Sequence, residues 1–201
     1  MSTIQSICVY CGSGPGADPA FAAGAKTFGK ILAKNNIRLV YGGGSVGLMG
    51  TISSAVLEYG GQVTGIIPEF LRSLEKPSNG TQELIVTRDM HERKRIMFER
   101  SDAFVALPGG VGTLEELVEQ LTWAQLGRHK KPILIANISG FWDPLCKLLD
   151  HMTDLKFIRP TLEVNALVAN NIEDILPKLI AAVQPVSESE KLMQAGAAER
   201  L

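Results

Sequence analysis

Two short polar segments contain the residues of this sequence best suited to chemistry. Arg93 and Lys94 are adjacent cations near the start of one predicted helix, and Glu115 and Glu116 are adjacent carboxylates at the start of another. The helix dipole disfavours a cation in the first turn by about 0.3–1 kcal/mol, unless the cation meets an anion. A placed carboxylate can stabilise the oxocarbenium character of a breaking glycosidic bond or activate water.

The carboxylate segment also has a purely structural interpretation. Thr113-x-x-Glu116 matches a capping box, in which Glu116 would accept a hydrogen bond from the N-cap amide. Glu116 is nevertheless predicted to point away from the apolar stripe of Leu117, Val118 and Leu121, towards the ligand edge of a sheet. The cations have a similar alternative, which is a solvated helix face. Capping and chemistry therefore both remain open for these residues.

Three glycine-rich segments each follow a predicted strand. Backbone amides at a helix start are unpaired, and glycine lets an anion approach them closely, so such loops suit a phosphate group. One loop alone would be weak evidence, but three at one sheet edge favour a phosphorylated ligand. The candidate ligand-binding residues in these loops are Gly12, Ser13, Gly43, Gly44, Gly47, Gly109, Gly110, Val111, Gly112, Thr113 and Leu114.

Short apolar runs alternate with amphipathic segments along the chain, and this predicts a single-domain α/β fold. Near-continuous apolar strands are typical of a parallel sheet with helices on both faces. All strand-to-helix loops then lie at one edge of the sheet, where such folds bind ligands. The predicted strands are residues 4–10, 37–41, 62–67, 84–87, 103–107, 133–136 and 166–169. The predicted helices are residues 19–34, 47–59, 90–101, 114–126, 142–152 and 172–183.

The domain is predicted to span residues 1–183, followed by a polar C-terminal tail at 184–201. Residues 68–82 are rich in Pro, Ser, Asn and Gly and are expected to form an irregular loop. No internal repeat or interdomain linker is evident.

Composition argues against several classes of protein. The 20 Lys and Arg nearly balance the 21 Asp and Glu, so nucleic acid and anionic membranes are not expected partners. No apolar run is long enough for a transmembrane helix, and the first residues do not match a signal peptide. The three cysteines cannot all pair, which favours a reducing cytoplasm. The scattered His and Cys residues predict no metal site, and no organic cofactor is expected.

Three ordered motifs resemble the Lonely Guy family of cytokinin riboside 5′-monophosphate phosphoribohydrolases, which were historically misnamed lysine decarboxylases. The motifs are the Gly-rich run at 41–50, Met-His-Glu-Arg-Lys at 90–94 and Pro-Gly-Gly-Val-Gly-Thr-Leu-Glu-Glu at 108–116. The resemblance extends over residues 7–179. It implies a Rossmann-like homodimer that hydrolyses the N-glycosidic bond of AMP or a cytokinin riboside 5′-monophosphate, giving free base and ribose 5-phosphate.

The resemblance also implies roles for individual residues. The family's catalytic arginine falls on Arg93 and its catalytic glutamate on Glu116. Lys94 and residues 110–116, which include Glu115, match its nucleotide-binding residues. A further binding glutamate falls on Glu75 and a binding threonine on Thr122.

Two other functions remain open at the level of sequence. A non-catalytic nucleotide or cofactor carrier could use the same glycine loops, but it would need neither Arg93 nor Glu116. The segment 42–47 also matches the dinucleotide pattern G-x-G-x-x-G, with Glu69 beyond it. That pattern normally follows the first strand of its unit, and here a strand and a helix precede it, so the match is discounted. An NAD-dependent oxidoreductase stays open as a second alternative.

Overall fold

The computed structural model describes residues 4–72, 82–158 and 166–183, and these residues form one seven-stranded parallel sheet with helices on both faces. The strands are β1 (Ser6–Tyr10), β2 (Arg38–Tyr41), β3 (Val63–Pro68), β4 (Glu83–Thr87), β5 (Ala103–Ala106), β6 (Ile133–Ala136) and β7 (Ala166–Ala169). The helices are α1 (Pro19–Lys34), α2 (Gly47–Glu58), α3 (Glu69–Arg72), α4 (Met90–Glu99), α5 (Val111–Gln125), α6 (Asp143–Asp154) and α7 (Ile175–Ala182). The predicted fold class is confirmed.

The strand order is β4-β3-β2-β1-β5-β6-β7. The chain therefore builds outwards from β1 in one direction, returns to place β5 on the other side of β1, and then builds the opposite way. The two strands are paired in parallel through Cys8 opposite Phe104 and Tyr10 opposite Ala106. In open α/β sheets the crevice at such a switch point, beyond the carboxyl ends of the strands, is the usual ligand site.

Alternation along β1 divides the core into two layers. Ile7 and Val9 lie in the core that includes residues of α1 and α2, whereas Cys8 and Tyr10 lie in the core that includes residues of α4 and α5. All four side chains are almost completely buried. Period-two alternation with apolar side chains on both faces explains why the strand reads as a continuous apolar run.

Local signals account for several helix ends. Asp18 caps α1 by accepting a hydrogen bond from the Ala20 amide, and Pro19 occupies the first helical position, where its missing amide hydrogen costs nothing. The predicted helix at 172–183 is instead a 3₁₀ turn, Ile172–Asp174, followed by α7. Starting at Ile175 keeps Pro177 in the first turn, where its ring and its missing donor are tolerated.

The segment predicted as an irregular loop is partly regular. β3 continues to Pro68, which pairs with Thr87 of β4, and the short helix α3 follows directly. Glu69 therefore begins a helix, and its carboxylate lies 3.6 Å from Arg72. The candidate binding residue Glu75 lies outside the described residues. None of the helices in the described part of the chain is long and apolar enough to cross a membrane.

Candidate active site

The three glycine loops meet at the carboxyl edge of the sheet, as the sequence predicts. The Gly12 amide donates to the carbonyl of Pro108 at 3.0 Å, which joins the first loop to the third. The Gly12 carbonyl accepts from the Leu48 amide at 3.0 Å, which joins the first loop to the second. Gly47 has a φ of +60° and packs so closely on the Ser13 backbone that a side chain would collide with it.

The second loop uses its glycines for packing. Gly43 and Gly44 are buried, and Gly43 has a φ of +83°, which favours glycine. The amides of Leu48 and Met49, in the first turn of α2, both point at the Gly12 carbonyl. Two of the donors that a helix start could offer to an anion are therefore already used. The proposed phosphate contacts of this loop have less support than those of the third loop.

The third loop leaves a helix start open. α5 begins at Val111 with Gly110 as its N-cap, and no side chain caps it. Gly110, Val111 and Gly112 are exposed, and no hydrogen bond described for the chain uses the amides of residues 110–113. Because α5 is 15 residues long, these amides carry the positive end of a substantial helix dipole. This is the arrangement that binds phosphate in many α/β folds.

This start also corrects two expectations for the helix. α5 begins three residues before the predicted start, so Thr113 lies inside the helix and cannot be the N-cap of a capping box with Glu116. Glu116 does not point away from the packed face, since it is buried on α5 together with Leu117 and Leu121, whereas Val118 is 41% exposed. The structural alternative for Glu116 as a capping residue is therefore wrong.

Arg93 and Glu116 form a buried ion pair between α4 and α5. The Arg93 Nη1 atom lies 3.4 Å from Glu116 Oε1, and each residue is only 8% exposed. Arg93 Nε donates to the Ile66 carbonyl at 3.1 Å, and its Nη1 also contacts the Met90 sulfur at 3.7 Å. The alternative of a solvated helix face for this cation is thus excluded. The two side chains predicted to act together do lie together.

Gly42 makes room for this arginine. A Cβ atom placed on Gly42 would overlap Arg93 Nη2 and lie 3.0 Å from the Met49 sulfur. Gly42 was not among the candidate site residues, although it lies in the glycine run that the sequence singles out. A sequence pattern marks glycines without saying what occupies the space beside them, so only the packing identifies this role.

Burial decides the protonation of Glu116. Loss of solvation raises the pKa of its carboxyl from 4.5 to about 7, against the opposing attraction of Arg93. Glu115 and Glu119 on the same helix add repulsion that also raises the pKa. A carboxyl that titrates near neutral pH is suited to exchange protons with a reacting group.

Lys94 is held by carboxylates rather than left free. Its Nζ atom lies 2.5 Å from Glu115 Oε1 and 3.0 Å from Glu119 Oε1. Burial lowers the pKa of Lys94, but the two hydrogen bonds to carboxylates outweigh it and raise the pKa. Glu119 was not among the candidate site residues, although it lies three residues after Glu116 on the same predicted helix.

Thr122 lies on α5 three residues after Glu119. Its hydroxyl donates to the Val118 carbonyl one turn earlier, and the residue is exposed. It shares the outward face of α5 with Val118, so the structure does not bring it to the Arg93–Glu116 pair within one chain. No group of three or more His, Cys, Asp or Glu side chains among the described residues is placed to hold a metal ion.

Similarity to known proteins shows which family the chain belongs to. A family model described as "possible lysine decarboxylase" matches residues 49–179. A cytokinin riboside 5′-monophosphate phosphoribohydrolase of Arabidopsis thaliana is 43% identical over 187 residues, which cover 93% of this chain and 82% of that protein. One of Rhodococcoides fascians is 44% identical over 172 residues, 85% of this chain and 87% of that protein. The chain belongs to this family of phosphoribohydrolases.

Several solved structures share the fold of this chain, at lower sequence identity than the phosphoribohydrolases. The molybdenum cofactor binding protein of Rippkaea orientalis superposes with a TM-score of 0.67 at 22% identity, over 92% of this chain and all of that chain. The molybdenum cofactor (Moco) carrier protein of Chlamydomonas reinhardtii gives 0.66 at 22% identity, over 90% of this chain and all of that chain. At such identity the likeness concerns the fold alone.

Substituting Gly42 by alanine should displace Arg93 without unfolding the protein, because the new methyl group meets the end of a flexible side chain. We expect turnover to fall by about 10²-fold, as a misplaced group at a reacting centre does. Gly14→Ala is the control, since nothing lies within 4 Å of that position. Steady-state assays with thermal melts test this, and a folded Gly42→Ala variant with full turnover would refute the role.

The raised pKa of Glu116 predicts a pH-dependent effect of Glu116→Gln on stability. Between pH 4.5 and about 7 the folded protein holds this proton more tightly than the unfolded chain, so the contribution of Glu116 to stability falls as pH rises. Glutamine does not titrate. The melting temperature of the variant relative to wild type should therefore increase from pH 5 to pH 8. A difference that stays constant or decreases would contradict the raised pKa.

Proposed function

We propose that this protein hydrolyses the N-glycosidic bond of a purine or cytokinin riboside 5′-monophosphate, or of AMP, to give free base and ribose 5-phosphate. The observation that carries the proposal is the buried Arg93–Glu116 pair beside the open start of α5. One part of the site suits a phosphate group and the other suits a breaking glycosidic bond. Relatives with more than 40% identity are named for this activity.

Each part of the site has a task in this reaction. The amides of residues 110–113 hold the 5′-phosphate. Ser13 is exposed in the first loop, which Gly12 joins to the third loop. Arg93 offsets negative charge on the phosphate or on the departing base, and Glu116 stabilises the positive charge that develops on the ribose and positions water. The mechanism uses no metal and no organic cofactor.

Lys94 and Glu115 contribute to the nucleotide site by forming an ion pair with each other. Their ion pair fixes α4 against α5, next to the proposed phosphate contacts. Gly109, Thr113 and Leu114 belong to the binding loop. Thr113 packs against Gly109 so closely that a side chain on the glycine would overlap it. Gly12 contacts that loop directly through Pro108 and Gly109, and Gly47 packs against the backbone of Ser13, the residue after Gly12.

A lysine decarboxylase, as in the family description, is not supported by the environment of Lys94. A lysine that forms a Schiff base must lose its proton, which desolvation or a cationic neighbour promotes. Lys94 has the cationic neighbour Arg93 in sequence, but its Nζ atom contacts two carboxylates, and its pKa is raised. Both contacts stabilise the charged form and oppose that chemistry.

We also propose that the protein is a homodimer. The outward face of α5 carries Val111, Val118 and Leu126 at helical spacing, and these are 83%, 41% and 74% exposed. Thr122 lies on the same face, so dimerisation through α5 would bring this binding residue to the subunit contact.

We place the protein in the reducing cytoplasm. Cys8 and Cys11 are free and buried in the cores on opposite faces of the sheet, so they cannot pair with each other. This geometry also opposes a redox role for Cys8 and Cys11, although their spacing matches Cys-x-x-Cys.

Hydrolysis should require the 5′-phosphate. The amides at the start of α5 provide binding energy only to a phosphorylated substrate, and that energy can be used in the transition state. We expect release of base from AMP or N6-isopentenyl-AMP and far slower release from adenosine, measured by chromatography of the products. Equal rates on AMP and adenosine would contradict this. A protein that binds AMP without releasing base would instead be a carrier.

Dimerisation should depend on the outward face of α5. Light scattering at micromolar concentration should give a dimer for wild type, and Val118→Glu should give monomers because a charge cannot be buried there without a partner. Val86→Glu, at a residue 40% exposed on the edge strand β4, is the matched control and should remain dimeric. A monomeric wild type with full activity would refute the proposal.

A further inference from the structure

The ionisable groups at the contact of α4 with α5 do not balance. Two cations, Arg93 and Lys94, face three carboxylates, Glu115, Glu116 and Glu119. Lys94 is shared between Glu115 and Glu119, which leaves Arg93 as the ion-pair partner of Glu116. With all five ionised, this cluster carries one net negative charge.

Among the described residues, β1 and the loop after it add no compensating charge beside Glu116. β1 and the loop after it contribute Cys8, Tyr10 and Cys11, which all interact electrostatically with Glu116. Burial raises the pKa of both thiols and of the phenol, so all three are neutral at physiological pH. Glu116 is therefore a buried carboxyl whose direct ion-pair partner is Arg93, with a weaker attraction from Lys94.

The proposed phosphate site lies one helical turn from this carboxyl. Gly112 precedes Glu116 by four residues on α5, a rise of about 6 Å along the helix axis. A phosphate monoester has a second pKa near 6 and arrives as a dianion above that pH. A dianion next to a buried cluster that is already negative disfavours the ionised form of the least compensated carboxyl.

We propose that binding of the phosphate monoester is coupled to uptake of one proton by Glu116, so that Glu116 enters the reaction as a carboxylic acid. This inference rests on the proposed function. The acid form gives Glu116 two successive tasks. As the bond between the ribose C1′ and the base breaks, the electron pair leaves with the base, and the Glu116 proton moves to a base nitrogen. Water then adds to C1′, and its proton returns to the carboxylate.

The free protein is poised for this uptake. The pKa of Glu116 is raised by burial to about 7, so near neutral pH small changes in nearby charge alter its protonation substantially. At pH 8 the carboxyl of the free protein is about nine-tenths ionised by this value, while a phosphate monoester is a dianion. A proton taken up on binding at pH 8 must therefore come from the buffer, because the phosphate monoester does not bring one.

Titration calorimetry with ribose 5-phosphate tests the coupling directly, because this product binds without being hydrolysed. The binding heat is measured at pH 8 in several buffers of different ionisation enthalpy, and its slope against that enthalpy gives the number of protons taken up. We expect about 0.5–1 proton per site for wild type. Glu116→Gln, which cannot take up a proton, should bind with a slope near zero. Glu99→Gln, on the exposed face of α4, should keep the wild-type slope.

Each result decides a different claim. Binding by wild type with heat independent of the buffer would overturn proton uptake and leave the proposed function intact. Uptake that persists in Glu116→Gln would overturn the assignment to this residue. Absence of binding to ribose 5-phosphate by folded wild type would overturn the proposed function, and this inference with it.

Discussion

The site depends on one electrostatic constraint, which is that a buried carboxylate, Glu116, has Arg93 as its direct ion-pair partner. Burial alone would neutralise Glu116, and Arg93 opposes that loss by holding the charge at 3.4 Å. The arginine must itself be fixed, because a mobile guanidinium would give little compensation. The Ile66 carbonyl holds its Nε atom, and the absence of a side chain at Gly42 leaves space for its Nη2 atom. Strand β3 and the loop after β2 thus determine the chemistry of a residue on α5.

The proposed phosphate end of the site follows a different principle, since its positive charge comes from the backbone. α5 begins without a side-chain cap, and the packing of Gly12 against Pro108 places that start at the switch point between β1 and β5. α2 shows the contrast, because the Gly12 carbonyl accepts from its first-turn amides. The same glycine-rich sequence type therefore supports packing at one helix and an open anion site at the other. A fold does not determine function by itself, and the proposal of hydrolysis therefore depends on Arg93 and Glu116.

The sequence predicted the elements and the grouping of the site well, because both depend on local patterns. Alternating apolar runs defined all seven strands, and the motifs around Arg93 and Glu116 lay where the structure brings them together. The start of α5 was missed because an N-cap glycine resembles a loop glycine, and that error produced the false capping box. The roles of Gly42 and Glu119 were missed because they depend on contacts between segments distant in sequence. The charge balance of the cluster also required side-chain distances.

Turnover by Glu116→Gln, compared with its binding of ribose 5-phosphate, tests most directly whether the buried pair catalyses while the α5 start binds. Glutamine keeps the shape of the side chain but can neither carry the charge nor give up a proton. Release of base from AMP should fall by about 10²-fold or more, while the Kd for ribose 5-phosphate does not increase. Glu99→Gln, which removes an exposed carboxylate from α4, should keep wild-type turnover. Near-normal turnover by a folded Glu116→Gln variant would contradict a catalytic role for this carboxyl.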